Sequence, residues 1–372
     1  MAGEMINNRH AIKPNEFPWL DSSRYSFSLG MHTEKVTFLS GHTASRYISN
    51  KNIVSAEGTL EEQLKIVYSK IKSIYEASES KEILHFIEYI TPAVSKDIAL
   101  INKYRDKEID SQESIHTRIM CNRLLRKEAL IEIEIIYNNK LNQEDLIFLS
   151  KSGKGTKDLA VQTEYIYEQI EKDLKRLGLQ WENVVNTTEF ISKDVLHSYK
   201  DTGAIRKKFL TNPYPASTGI IMKELKNKDE LIQVHFAVSK NNKQIINPYN
   251  QWHPSLTFSP AIQAGKFIFI SGLAAFNYET GEILYPGDVE KQTEYIYKEM
   301  EKILQIANGS LKDVIRTVDY VVSDGLKNYA KTDKIRKNLL GSPYPTSTGI
   351  VCERLLRKGL MIEIEAMALL DN

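Results

Sequence analysis

Ser342-Pro343-Tyr344-Pro345-Thr346-Ser347-Thr348-Gly349-Ile350-Val351-Cys352 runs into Glu353-Arg354-Leu355-Leu356-Arg357-Lys358 and then Met361-Ile362-Glu363-Ile364-Glu365-Ala366. Nearly the same words occur twice earlier. Asn212-Pro213-Tyr214-Pro215-Ala216-Ser217-Thr218-Gly219-Ile220 precedes Leu231-Ile232-Gln233-Val234-His235-Phe236, and Cys121-Asn122-Arg123-Leu124-Leu125-Arg126-Lys127 precedes Ile131-Glu132-Ile133-Glu134-Ile135. Three copies of one unit are present, and the repeat fixes the domain reading first, at 17–140, 141–240 and 250–372. A chain of 372 residues exceeds what one core serves, in agreement with that division.

The elements of a unit follow from periodicity. Short aromatic and β-branched runs, Tyr25 to Gly30 and Val36 to Gly41, are split by turn-formers and predict a hairpin. Leu60, Leu64, Val67, Ile71 and Ile74 recur at helical spacing over Thr59 to Ala77. A strand at Ile83 to Ile90, a helix at Asp97 to Lys107 and a closing hairpin, Thr117 to Arg123 with Leu130 to Tyr137, complete the first copy. The second copy starts abruptly at Leu146-Ile147-Phe148-Leu149-Ser150, shortened by one strand. Its helix, Gln162-Thr163-Glu164-Tyr165-Ile166-Tyr167, matches Gln292-Thr293-Glu294-Tyr295-Ile296-Tyr297 of the third, and Ile205-Arg206-Lys207 matches Ile335-Arg336-Lys337. Residues 1 to about 16 read as a loose polar arm and Asn241 to His253 as a linker. Each unit thus reads β-β-α-β-α-β-β, an α+β arrangement with hairpin-built antiparallel sheet and both helices on one face.

Composition narrows the function classes. Lysine plus arginine (49) nearly balance aspartate plus glutamate (48), so no electrostatic case exists for a nucleic-acid or anionic-membrane partner. No apolar run approaches the roughly 20 residues of a membrane span. Cys121 and Cys352 stand at equivalent positions of two copies, which implies no disulfide framework and fits a cytoplasmic protein. Eight histidines without ligand spacing give no metal site.

The third copy carries a family resemblance. Phe258-Ser259-Pro260-Ala261-Ile262, Gly265-Lys266, Ile270-Ser271-Gly272, Thr280-Gly281-Glu282, Gly287-Asp288-Val289-Glu290-Lys291-Gln292-Thr293, Leu311-Lys312-Asp313-Val314 and Ile362-Glu363-Ile364-Glu365-Ala366 resemble a YjgF-like, or reactive intermediate deaminase (Rid), domain. The resemblance covers 256–370, extends over 141–240 and is weaker over 24–137. It implies a fold like that of chorismate mutase of the Bacillus type. It also implies that three tandem copies rebuild the family's homotrimer as one pseudo-trimeric barrel, helices outside, acting as a monomer or weak homo-oligomer. The implied activity is cofactor-free hydrolysis of a small-molecule imine or enamine to ketone and ammonia, in clefts between units.

The family's carboxylate-gripping arginine matches Ser347, Ser217 and His116, and its tyrosine matches Phe258. Losing that charge-assisted fork implies a substrate larger or differently charged than a simple 2-imino acid. The water-positioning glutamate matches Glu363 and Glu132, with Gln233 in the second copy. Glu363 and Glu365 share one face of their strand, and a carboxyl beside a cleft serves as general base. One cleft is expected to act, bordered by Phe258, Ser271, Gly272, Ser347, Thr348 and Glu363, with the Gly349 N–H as donor and Arg118 and Arg354 near the lost clamp. The alternatives are a chorismatase-like hydrolase of an enolpyruvyl ether, which needs the same acidic residue, and a non-catalytic ligand-binding scaffold.

Overall fold

The computed structural model describes residues 9–109, 115–140, 145–249, 256–278 and 280–371. Three mixed sheets carry the fold. The first contains β1 (Arg9–Ala11), β2 (Gly30–Thr33), β3 (Val36–Leu39) and β4 (His42–Thr43), and a small ribbon of β5 (Arg46–Ile48) and β6 (Ile53–Ser55) follows. After α1 (Leu60–Glu76) come β7 (Glu82–Ile90), α2 (Ile98–Glu108), β8 (Ile115–Met120), β9 (Arg123–Leu124) and β10 (Ile131–Asn138). The second sheet uses β11 (Leu146–Ser152), β12 (Val184–Ser192), β13 (Ala216–Met222) and β14 (Ile232–Ser239), with α3 (Leu159–Arg176) and α4 (Thr202–Phe209) between them. The third holds β15 (Lys243–Ile246), β16 (Ala261–Ala264), β17 (Phe267–Ala274), β18 (Val314–Val322), β19 (Thr346–Cys352) and β20 (Ile362–Leu369), with α5 (Val289–Ile306), α6 (Leu326–Tyr329) and α7 (Thr332–Leu340). Among the described residues no helix is long and apolar enough to cross a membrane.

The long helices form where the apolar spacing placed them. Thr59 and Glu62 close a capping box on α1, while Asp158 and Asp288 cap α3 and α5. Each helix then binds its sheet through a buried glutamine. Gln63, Gln162 and Gln292 donate to the carbonyls of Glu128, Asp229 and Gly359 and accept from the amides of Leu130, Leu231 and Met361, just before the last strand. Unpaired, an amide buried this deeply costs about 1–3 kcal/mol, which accounts for glutamine at all three positions.

The closing segments are not hairpins. β19 runs parallel to β18, and β20 inserts between β17 and β18, so the last two strands are not neighbours. The same order recurs as β8–β7–β10 and β13–β12–β14. The helix preceding the penultimate strand is the reason: a strand–helix–strand crossover returns the chain parallel, leaving the central slot to the last strand. Of the expected loose arm, residues 1–8 lie outside the described residues, and residue 9 onward is tied to the body. β1 pairs with β2, and the Arg9 guanidinium reaches the Leu369 carbonyl (2.8 Å) of the third sheet and Asp313 (2.9 Å) just before β18. Within the expected linker, β15 pairs with β16, and residues 250–253 lie outside the described residues.

The sheets share cores. Phe38, Phe148 and Phe269 are buried in one cluster with Ile136, Ala237 and Met367, so all three sheets contribute to it. Backbone bonds also cross, from the Ser28 amide to the Pro345 carbonyl (3.0 Å) and from the Ser259 amide to the Pro215 carbonyl (2.9 Å). β3–β4 meet β19, and β17 meets β13, at two inter-sheet junctions, the first and second clefts.

Candidate functional site

Both clefts begin with a bulge. Phe38 faces Ile136 while His42 faces Ile133, so the outer strand has one extra residue there, at Ser40-Gly41. Register shifts likewise between Ile270 and Leu273, at Ser271-Gly272. A bulge re-aims the backbone. In the first cleft the Gly41 amide donates to Thr348 Oγ1 (3.0 Å) and the Ser347 amide to Ser40 Oγ (2.9 Å). In the second the Gly272 amide donates to Thr218 Oγ1 (3.0 Å) and the Ser217 amide to Ser271 Oγ (2.8 Å). The sites are copies of each other in geometry.

Glycine is required at both bulges. A Cβ on Gly41 would lie 2.1 Å from Glu132 Oε1, and one on Gly272 would lie 2.1 Å from Glu363 Oε1. Each carboxyl is thus seated on bare backbone. Gly41→Ala and Gly272→Ala are each expected to destabilise by about 1–3 kcal/mol, because both the carboxyl and the threonine methyl 2.8 Å away, of Thr348 or Thr218, would have to shift. Denaturant melts check this, and an unchanged midpoint in either variant contradicts the seating.

Burial decides the charge state of these carboxyls. Removal from water, then the neighbouring Glu134, pushes Glu132 up to about 8, and Glu363 is pushed up to about 8 by burial and then Glu365. Both are therefore largely protonated at neutral pH, able to give a proton and then, once ionised, to take one back. The second sheet offers no equivalent. β11 pairs with β14 in unbroken register, Lys151 occupies the strand where the others have the bulge glycine, and Gln233 cannot exchange a proton in this range.

Behind the clefts lies a buried ion trio. Arg316 Nε donates to Glu134 (2.6 Å) and Nη1 lies 3.6 Å from Glu365. Thr348 donates to Glu134 (3.0 Å) and Thr188 to Glu365 (2.7 Å). His235 stands at the corresponding strand position of the second sheet, and burial then the Arg316 charge lower its pKa to about 3, keeping it neutral.

The residues expected in one cleft divide between two. Glu363, Ser271 and Gly272 meet Ser217 and Thr218, whereas Ser347 and Thr348 meet Ser40, Gly41 and Glu132. Half-buried Phe258 adjoins Ser259, which is bonded to the Pro215 carbonyl at the start of β13, and so flanks the second cleft. The other expected residues lie as follows. A Cβ on Gly349 would be 2.1 Å from Leu125. Arg118 is buried against Glu88 (2.7 Å) and Asn102 (2.8 Å). It does what Arg206 does for Glu189 and Arg336 for Asp319, since the register opposite these acids reads Arg118, Gly219 and Gly349. Arg354 is exposed at the strand edge beside Ile221. Among the described residues no group of three or more His, Cys, Asp or Glu is placed to hold a metal ion.

Sequence reasoning missed Gly41, Thr218, Glu134 and Arg316 as parts of the sites. The repeated Ser-Gly dipeptide, 40–41 and 271–272, was the available signal for the first.

Comparison with known proteins places these features. Residues 249–370 match the family model described as Endoribonuclease L-PSP. A RutC family protein of Pyrococcus horikoshii is 34% identical over 126 residues, 34% of this chain and 97% of that protein. One of Pyrococcus abyssi is 32% identical over 126 residues, 34% of this chain and 96% of its own length. A crystal structure of chorismatase is similar in fold, with TM-score 0.58 and 18% identity over 79% of this chain and 94% of that one.

Proposed function

The chain belongs to the RutC, or Rid/YjgF-like, family, and from this we propose that it is a hydrolase acting on a C=N or enamine centre of a small metabolite. Its three segments, 17–140, 141–240 and 250–372, would stand in for three subunits of a pseudo-trimeric barrel, with the reaction in two of the three inter-segment clefts. One observation carries the reading: the same constellation of bulge glycine, threonine hydroxyl and protonated glutamate is built twice.

The chemistry uses both states of the carboxyl. Glu132 or Glu363 gives its proton to the imine nitrogen, producing an iminium ion and a carboxylate. Water attacks the carbon while the carboxylate takes a proton from it, forming a carbinolamine and restoring the acid. Collapse of the carbinolamine breaks the C–N bond and releases ketone and ammonia. The serines at the clamp positions, Ser347 and Ser217, bring hydroxyls and no charge, so ligand recognition differs from a bidentate arginine grip.

A protonated carboxyl also suits protonation of an enol ether carbon, which is the specific observation favouring a chorismatase-like second reading. Ammonia release from freshly generated 2-aminoacrylate and larger imines, measured beside pyruvate release from chorismate, separates the two. Ammonia is the expected product, at a rate falling as pH rises through about 8, because the reaction starts from the protonated carboxyl. Pyruvate alone would transfer the assignment to the ether hydrolase. Release of neither product, with ligands still bound, would remove catalysis.

A further inference from the structure

Helices α1 and α5 are in register through Gln63 and Gln292, which make the same bonds to the start of the last strand. Seven residues further on, α1 carries Lys70 and α5 carries Glu299. Each is almost fully buried, at 1% and 4% exposure. A lysine and a glutamate therefore stand at one helix position behind the two site glutamates; burial, then Arg46, lowers the Lys70 pKa to about 7, so an anion brought near is what favours its charged form.

Lys70 belongs to the first cleft. Its Nζ donates to the carbonyls of Thr43 and Ser45, and Thr43 faces Glu132 across the β4–β10 pairing. Lys70 lies near enough to act electrostatically on Glu132, and Arg46 near enough to act on Lys70. Glu299 belongs to the second. Its carboxyl accepts from Tyr249 Oη (3.2 Å) and Lys302 Nζ (2.6 Å), and Tyr278 stands within electrostatic reach of both Glu299 and Glu363. The central trio sets one glutamate beside each site, Glu134 and Glu365, with Arg316 2.6 Å from the first and 3.6 Å from the second. Ser347 and Ser217 bring no charge. The helix position thus adds a difference in field between the two sites.

We propose that Lys70 makes the Glu132 cleft the one that takes a carboxylate-bearing ligand, whereas Glu299 leaves the Glu363 cleft to ligands without a carboxylate, so that one chain acts on two classes of substrate. The proposal rests on the clefts being ligand sites and does not require that hydrolysis occur there.

The probes are 2-oxobutanoate and its methyl ester, titrated calorimetrically into the full chain. Wild type is expected to bind the acid about tenfold more tightly than the ester, and Lys70→Gln to lose about that factor for the acid alone, as a cation several ångströms away in a partly dry site supplies. Circular dichroism establishes that the variant is folded. A cocrystal of wild type with the acid locates it beside Glu132 and Lys70, and decides the matter even where Lys70→Gln does not fold. Equal affinity for acid and ester, no measurable binding of the acid, unchanged affinity in folded Lys70→Gln, or the acid seated beside Glu363 would each overturn the proposal. Binding as described without ammonia release would leave it standing and remove only the hydrolytic reading.

Discussion

Arg316→Met is expected to destabilise the protein by about 3–5 kcal/mol, the cost of leaving buried charge without its partner. Arg316 is 7% exposed and is the cation between Glu134 and Glu365. Burial opposes its charge, but the two glutamates outweigh that effect and hold its pKa above the ordinary arginine value. The trio also joins all three sheets: Arg316 and Glu365 come from the third, Glu134 from the first, and Thr188, which donates to Glu365, from the second. Tyr89 donates to the same Glu134 oxygen as Thr348, each at 3.0 Å, so the carboxylate is left with three donors only while the arginine stays. Loss of Arg316 should loosen the Glu132 cleft too, since Thr348 also receives the Gly41 amide. Urea melts measure the effect. The triple variant Arg316→Met/Glu134→Gln/Glu365→Gln should recover most of the loss, because it removes the charges together. A single variant within about 1 kcal/mol of wild type would show that the trio does not hold the sheets.

The sequence made the three-copy repeat and its helices legible, because apolar spacing and the Gln-Thr-Glu-Tyr-Ile-Tyr words depend on local structure. Strand order was less legible. Nothing in Met361 to Ala366 says that this strand enters the middle of its sheet, since pairing partners are chosen by tertiary packing. Glu132 and Glu363 could be singled out by their place in the repeated strand, yet their partners could not. Each cleft takes its threonine from a segment far along the chain, Thr348 for Glu132 and Thr218 for Glu363. Arg118 misled for a related reason. In the second and third copies the arginine bonded to the buried acid lies on a helix, at Arg206 and Arg336, whereas in the first copy Arg118 on a strand takes that place and the helix residue Arg105 stands off at 3.8 Å. Lys70 gave no signal either, because a lysine on the buried face of a helix reads as a solvated residue until the fold encloses it.

Glu132→Gln and Glu363→Gln should each remove the ammonia release of one cleft, and together they should lower the total by about 100- to 10,000-fold, the usual contribution of a positioned acid–base group. The amide keeps the shape of the carboxyl and its seat on the bulge glycine, so the loss is chemical. Stability should move the other way. Each native carboxyl has its pKa raised to about 8 from the ordinary 4.5, so the folded chain holds protons that the unfolded chain gives up between these limits. Stability from these groups is fully present below about 4.5 and is lost as pH rises through about 8. The double variant lacks that loss. It should melt higher than wild type at pH about 9, and its advantage should shrink toward pH about 5.

The most direct test is ammonia release from freshly generated 2-aminoacrylate, and from a larger imine, by Glu132→Gln/Glu363→Gln alongside wild type and the two single variants. The account predicts background release by the double variant and partial or substrate-selective loss in each single one. Release by the folded double variant within twofold of wild type would contradict the assignment of the reaction to these two clefts.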